Sequence, residues 1–453
     1  MPLELETLLV LLMFASFVGL LFSGYPVAFV LAGVGVAFAC LGELLGRAGL
    51  PIDADLATVG LLVERLYGTM SSYNLVPLPL FIFMGHMLDR SGIAGDLLRS
   101  MQLLLGRVPG GLAVAVTLIG LLLAASTGII GASVALLGTL ALPAMLDDGY
   151  QTELAVGTVA SAGCLGILVP PSIMLVLMAD QMRLPVGDLF LGAVVPGLLL
   201  AALYLTYIVT LALLRPALAP PGRAPADAPG AGALGLRLGR ALAAPVLLIV
   251  AVLGSIFFGV ASPSEAAGVG AAGATALALL RRSLDGEVLR EVSRRTARTT
   301  SFIFAILTGA SCFAVVLRGL GGDEVIEAAV TGLGLGATGL VLLLMTLVFL
   351  LGFFLDWIEI TLIVLPLVYP LTRALGIEPV WFTMLMAVCL QTSFLTPPVG
   401  PALFYLQGVA PPGVELRHLY RGVLPFVGLQ LLGLAILFTW PELVTWLPDL
   451  LYR

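Results

Sequence analysis

Lysine is absent from the chain, and histidine and cysteine are scarce. The two histidines, His86 and His418, stand far apart in sequence, which argues against a histidine-based metal site. The four cysteines, Cys40, Cys164, Cys312 and Cys389, lie singly in apolar segments without metal-ligand spacing. Neither a zinc site nor a disulfide framework is indicated. HExxH, P-loop and GxSxG patterns are missing, so the commonest hydrolase and nucleotide-binding signatures are not there. Charge is short too, at 11% of 453 residues, while 60% are apolar. A soluble domain carries roughly 25% charge and could not hide that much apolar surface.

What the chain does have is apolar runs of roughly 17–25 residues, recurring from end to end, the length an α-helix needs to cross a bilayer. The first begins at Leu8, behind Glu4 and Glu6. A cleaved signal peptide would want a basic start and a small-residue cleavage site, so this run is expected to stay as a membrane span. The composition therefore implies an all-α polytopic membrane protein.

Internal repetition follows. Pro143 matches Pro370, Gly149 matches Gly376, and the pair Pro170-Pro171 matches Pro397-Pro398, each 227 positions apart. Gly95-Asp96 and Gly322-Asp323 keep the same offset. The chain reads as two halves, 1–215 and 242–453, joined by a proline- and glycine-rich linker over 216–241. Each half is expected to hold about five spans with a re-entrant hairpin and a broken helix. The hairpin tips are placed at 126–133 and 352–361, and the breaks at 161–172 and 391–400. Five crossings is an odd number, so the halves would be inverted relative to each other. Arginine placement agrees. With the N-terminus outside, loops 89–108, 281–299 and 411–421 and the linker together with Arg215 at its start hold fifteen of the 21 arginines. Arg47, Arg65, Arg183, Arg318, Arg373 and Arg453 remain for the exterior, the bias of the positive-inside rule.

Chemistry is expected where helices break at membrane depth. Ser126, Thr127, Gly128, Gly131 and Ser133 interrupt one apolar stretch, and Gly163, Gly166, Pro170, Pro171 and Ser172 another. A tandem proline removes two backbone donors and disfavours helix before it, leaving carbonyls to be buried in protein or to line a wet cavity. Bare carbonyls with Ser and Thr hydroxyls form an oxygen shell that sodium accepts, and half-helix N-termini suit a carboxylate. The second half repeats the device and adds Asp356 and Glu359. Charge at that depth is costly, about 2.5 kcal/mol or more, which marks such acids as functional candidates. Asp356 also fits a helix cap. Glu265 reads as structural: Ser262-Pro263-Ser264-Glu265 matches a capping box with proline at the first helical position.

As a set, PLPLFIFMGHML, RVPGGLAVAV, GASVALLGTLALPAML, CLGILVPPS, GVASPSEAAG and TPPVGPALF resemble the large membrane subunit of tripartite ATP-independent periplasmic (TRAP) transporters, in order and over nearly the whole chain. The resemblance implies an elevator-type, sodium-coupled importer of small organic acids in the bacterial inner membrane, without cofactor, enzymatic activity or nucleic-acid partner. It also implies a four-helix small membrane subunit and a soluble periplasmic binding protein as partners, in membrane lipid. Carried onto this chain, one ion site uses Ser126, Thr127, Gly128 and Ser133 with Gly163, Gly166 and Pro170. The other uses Gly352 and Asp356 with Thr392, Thr396, Pro397 and Gly400. Ser172, Glu359 and Ser393 are the expected substrate contacts. One departure stands out: STGIIGAS replaces the serine-rich tip of many members. The alternative is a stand-alone divalent-anion/sodium symporter of similar architecture. An intramembrane aspartyl protease needs two facing aspartates, one usually in GxGD, and LGFFLD supplies no partner.

Overall fold

The computed structural model describes residues 2–50, 56–106, 108–127, 130–222 and 231–452, with the side chains at 2–4, 94, 123–127, 231–238, 240, 241 and 331 outside that description. Every regular element among the described residues is helical. The first half runs α1 (Pro2–Leu21), α2 (Val27–Arg47), α3 (Leu56–Met70), α4 (Pro77–Arg90) and α5 (Ile93–Leu105). α6 (Gly111–Thr127) and α7 (Ile130–Asp147) pack as a hairpin, and α8 (Thr152–Cys164), α9 (Ile173–Gln181) and α10 (Val186–Leu214) follow. The second half opens with α11 (Ala231–Phe257), α12 (Pro263–Leu280), α13 (Gly286–Gly319) and α14 (Gly322–Gly332). α15 (Ala337–Leu351) turns into α16 (Trp357–Ala374). α17 (Pro379–Leu395), α18 (Pro401–Val409), α19 (Leu416–Thr439) and α20 (Glu442–Tyr452) complete the chain.

Six of these helices, α2, α7, α10, α13, α16 and α19, are long and apolar enough to cross a membrane. In hydrocarbon every backbone N–H and C=O must be paired within the protein, and a helix does this within its own segment. Local signals set the starts. Ser262 N–H donates to Glu265 Oε2 at 2.8 Å and Glu265 N–H donates back to Ser262 Oγ at 3.3 Å, the capping box read from the sequence.

Helix limits follow the spacing of the proline pairs. A shift of 227 residues carries α7 onto α16 from end to end, and the start of α8 onto the start of α17. Packing is reciprocal in the same sense. α2 lies on α13 as α4 lies on α12, α8 lies on α19 as α10 lies on α17, and α7 lies on α18 as α9 lies on α16. Two features differ from expectation. α11 begins at Ala231, inside the stretch read as linker, because 231–244 is free of proline and rich in alanine, leucine and arginine. The third span is one 34-residue helix, α13, in the second half. Its counterpart is divided into α3 and α4, where Pro77 and Pro79 withhold the backbone donors a continuous helix would use.

The arginine-rich loops gather on one face. Arg281 pairs with Asp96 at 2.7 Å, Arg90 pairs with Glu291, and Gly222 N–H donates to the Gly106 carbonyl at 2.6 Å. Elsewhere, Arg65 stands within electrostatic reach of Arg183 and Arg318, and Arg183 and Arg373 both lie over the Tyr369 ring. At the centre are α8 and α17. Leu154–Cys164 and Phe382–Leu395 are buried without interruption, as expected of helices apolar on all sides.

Candidate functional site

Both central helices end at a break. α17 stops at Leu395, and residues 396–400 carry the chain through a cis Pro397-Pro398 bond before α18 starts at Pro401. Gly400 makes this turn with φ +35°, and a side chain there would meet the carbonyl oxygens of Thr396 and Phe394 at 3.1 and 3.2 Å. Only glycine fits comfortably. The hydroxyls before the break are all engaged as donors. Thr392 donates to the Val388 carbonyl at 2.8 Å, Ser393 to Phe349 at 2.7 Å and Thr396 to Thr392 at 2.7 Å. With their protons committed to carbonyls, their free lone pairs suit a cation or a donor group.

The second hairpin closes against this helix. A side chain at Gly352 would come within 2.5 Å of Ser393 Oγ, so α15 reaches α17 through the missing Cβ. Asp356 caps α16: its carboxylate accepts from the Trp357 N–H at 2.8 Å. Glu359 completes the box, accepting from the Asp356 N–H at 2.8 Å. Capping and a site role are compatible here, because each carboxylate has further oxygen lone pairs. Both acids line a cavity of about 440 Å³, Asp356 exposed to it and Glu359 only 6% exposed. Phe353, Phe354, Val399 and Tyr405 form much of its wall, and no basic residue is among its lining residues.

The first half builds the equivalent break differently. α8 passes into a 3-10 turn at Leu165–Ile167, and a cis Pro170-Pro171 bond precedes α9. Gly166, Pro170 and Ser172 are buried there, and Ser172 Oγ donates to the Ile167 carbonyl at 2.5 Å. Gly163 lies against α7, where a Cβ would meet Val134 Cγ2 at 2.5 Å and its Cα at 2.9 Å. Ser133, one residue before Val134, is fully buried. Ser126 and Thr127 end α6 by their backbone, but their side chains, and Gly128 altogether, lie outside the described residues.

The residues are thus brought together in two groups, Ser133 with Gly163 across α7 and α8, and Gly352, Asp356, Glu359 and Ser393 around the second hairpin. Sequence reasoning missed the residue between them. Tyr405, on α18, lines the cavity of the acids and also lies against Gly131 at the start of α7. An aromatic one helical turn past a break was the available signal. No group of three or more His, Cys, Asp or Glu that could hold a metal occurs among the described residues, so any cation here must rely on hydroxyls, carbonyls and single carboxylates.

Helices long and apolar enough to cross a membrane, broken twice at the core of the fold beside a buried acid and buried hydroxyls, define a multi-pass transport protein. Residues 14–443 match the family described as "Tripartite ATP-independent periplasmic transporter, DctM component". The chain belongs to that family, the large permease subunits of TRAP transporters, which are multi-pass inner-membrane transporters and not enzymes. Such subunits transport organic acids together with a periplasmic binding protein. Among its relatives, the C4-dicarboxylate TRAP transporter large permease protein DctM of Vibrio cholerae is 30% identical over 98% of each chain. The protein of the same name in Pseudomonas aeruginosa is 32% identical, covering 86% of this chain and 89% of its own. The ectoine TRAP transporter large permease protein TeaC of Halomonas elongata is 25% identical over 98% and 99%. In shape the chain resembles the YdaH transporter of Alcanivorax borkumensis, with a TM-score of 0.63, 17% identity and coverage of 91% and 98%, a likeness of fold alone.

Proposed function

We propose that this chain is the translocating subunit of a sodium-coupled importer for a small organic acid. A soluble binding protein delivers the substrate, and a four-helix small membrane subunit completes the membrane complex. The observation that carries the reading is the pair of breaks after α8 and α17, each beside the start of a hairpin helix in the most buried part of the fold. The matched helix limits and reciprocal packing support two inverted halves, 1–215 and 242–453, that move substrate by an elevator displacement. Sodium would lie at the breaks, with Ser126, Thr127, Gly128, Ser133, Gly163, Gly166 and Pro170 on one side. Gly352, Asp356, Thr392, Thr396, Pro397 and Gly400 would serve the other.

The acid-lined cavity favours coupling to a cation. An organic anion entering beside Asp356 and Glu359 meets like charge and no basic residue in the lining, so a bound cation is the simplest counter-charge. Relatives named for C4-dicarboxylates, isethionate, sialic acid and ectoine are consistent with a small organic acid as the substrate class. The test is uptake by proteoliposomes. Substrate should accumulate only with the binding protein, the small subunit and an inward sodium gradient together. Uptake by this chain alone would instead identify a stand-alone anion/sodium symporter, and uptake indifferent to sodium would remove the coupling.

A further inference from the structure

Four arginines converge at the ends of helices far from the acid-lined cavity. Arg65, on α3, stands within electrostatic reach of Arg318, in the last turn of α13, and of Arg183, two residues past α9. Arg183 and Arg373, the latter in the last turn of α16, lie 5.4 and 5.9 Å from the centre of one ring, Tyr369. The group is held in place. Arg373 Nη1 donates to the Tyr369 hydroxyl at 3.2 Å, and Ser72, two residues past α3, donates to Asp180 of α9 at 3.1 Å. Asp180 precedes Arg183 by three residues, yet its carboxylate is engaged by Ser72 and Gln181. Arg318 pairs with Asp323 at 3.3 Å, while Arg65, Arg183 and Arg373 make no salt bridge among the described residues. The arginines of the other face differ: Arg90, Arg281 and Arg295 are all paired.

The two faces lie on opposite sides of the membrane. α13 starts at Gly286 in an arginine-rich loop and runs 34 residues to Gly319, roughly 50 Å at 1.5 Å per residue and longer than the hydrocarbon is thick. Arginine outside runs against the positive-inside bias, so its gathering there calls for a reason. Unpaired like charges repel, and the helix C-termini beneath Arg318 and Arg373 offset only part of that. An incoming surface that carries carboxylates would remove the rest. Arg65, Arg183 and Arg373 are exposed and come from separate elements, so their charge forms an open face. The cavity of about 650 Å³ lined by Arg65 and Arg318 also takes in Glu6 and Glu324, and that mixture does not select a small anion. We propose that Arg65, Arg183, Arg318 and Arg373 form the docking face for an acidic surface of the soluble binding protein, which rests on the reading above that such a protein delivers the substrate. One docked surface thereby bridges the α3–α13 pair and the α9–α16 pair.

The test measures association with the full membrane complex in phosphatidylcholine nanodiscs, using as probe the binding protein that supports uptake in proteoliposomes. Ionic strength is varied with choline chloride at fixed sodium. Association with the parent complex should slow severalfold from low to high salt, because screening weakens steering between complementary charges. The Arg183→Gln, Arg373→Gln double variant should associate severalfold more slowly at low salt and converge on the parent at high salt, with dissociation little changed. The matching pair of lysine substitutions keeps the charge and should stay near the parent. Arg65→Gln alone should shift association in the same direction as the glutamine pair, and it serves if the double variant misfolds. Parental association of the glutamine variants at low salt would overturn the proposal, and so would equal losses with glutamine and lysine, which mark a packing role. Variants that bind normally but lose a preference for phosphatidylglycerol in the nanodisc would assign the face to lipid and overturn it too. Uptake that needs no binding protein would remove the underlying reading and this proposal together, whereas dependent uptake with unchanged association removes the proposal alone.

Discussion

The ring of Tyr405 occupies the space that a side chain at Gly131 would fill: a Cβ on Gly131 would lie 3.1 Å from two ring atoms and 3.2 Å from a third. Gly131 opens α7, and Tyr405 lies on α18 facing the cavity of Asp356 and Glu359. One side chain therefore touches the first hairpin and lines the cavity of the acids of the second. Gly131→Ala should push the ring into the cavity and raise the substrate concentration for half-maximal uptake, with little loss of expression. Tyr405→Leu in the same chain should recover much of the loss. Uptake kinetics of the two single variants and the double one decide, and a Gly131→Ala protein with parental kinetics would show that the contact is passive.

Two glycine contacts at the breaks differ in what they press on. At Gly352 the nearest neighbour is Ser393 Oγ, which can turn away at the cost of its bond to the Phe349 carbonyl, leaving the fixed Ser393 Cβ at 2.9 Å. At Gly163 it is Val134, including its Cα and backbone nitrogen at 2.9 and 3.0 Å, which cannot turn. Overpacking costs about 1–3 kcal/mol and occasionally more, and a lost neutral hydrogen bond about 1 kcal/mol. Gly163→Ala should therefore lower the melting temperature of the detergent-purified protein more than Gly352→Ala. Adding Ser393→Ala should relieve Gly352→Ala in part. The reverse order would mean that α7 and α8 separate easily.

Much of this was legible in the sequence. The span lengths, the 227-residue offset and the paired prolines located both breaks, since proline and glycine act locally whatever surrounds them. The Ser262–Glu265 box was readable for the same reason. Tyr405 was not. Its role depends on which helices meet across the fold, and an apolar helix buried on every side carries no pattern pointing to its neighbours. The start of α11 is hidden because 216–241 opens as a proline- and glycine-rich run, whereas its second part is alanine- and leucine-rich and helical from Ala231.

Topology follows from the pairing of loops. Arg90 with Glu291 and Arg281 with Asp96 place both arginine-rich loops on one face, and from the arginine bias we propose that this face is cytoplasmic. Gly286→Cys should then resist an impermeant thiol reagent in intact spheroplasts and react after lysis, while Pro2→Cys should react in both. Labelling of position 286 before lysis would invert the assignment.

Asp356 offers the sharpest separation of stability from ion binding, because it does two things at once. As N-cap of α16 it accepts the Trp357 N–H, and as a carboxylate it puts charge into the cavity. Asparagine caps a helix about as well as aspartate, whereas alanine costs ~1 kcal/mol at such a position. Asp356→Asn should thus keep the parental melting temperature while raising the sodium concentration for half-maximal uptake. Asp356→Ala should lose on both measures. Thr396→Val keeps the shape and removes the hydroxyl that donates to the Thr392 carbonyl. If that oxygen also binds sodium at a cost near that of a neutral hydrogen bond, ~1 kcal/mol, its loss weakens the ion about fivefold. Ser172→Ala, past the first break, should act in the same direction but more weakly. Sodium titrations of uptake and melting curves across the four variants give the answer. If Asp356→Asn and Thr396→Val both match the parent protein in sodium dependence, the breaks serve packing and the second ion site is elsewhere.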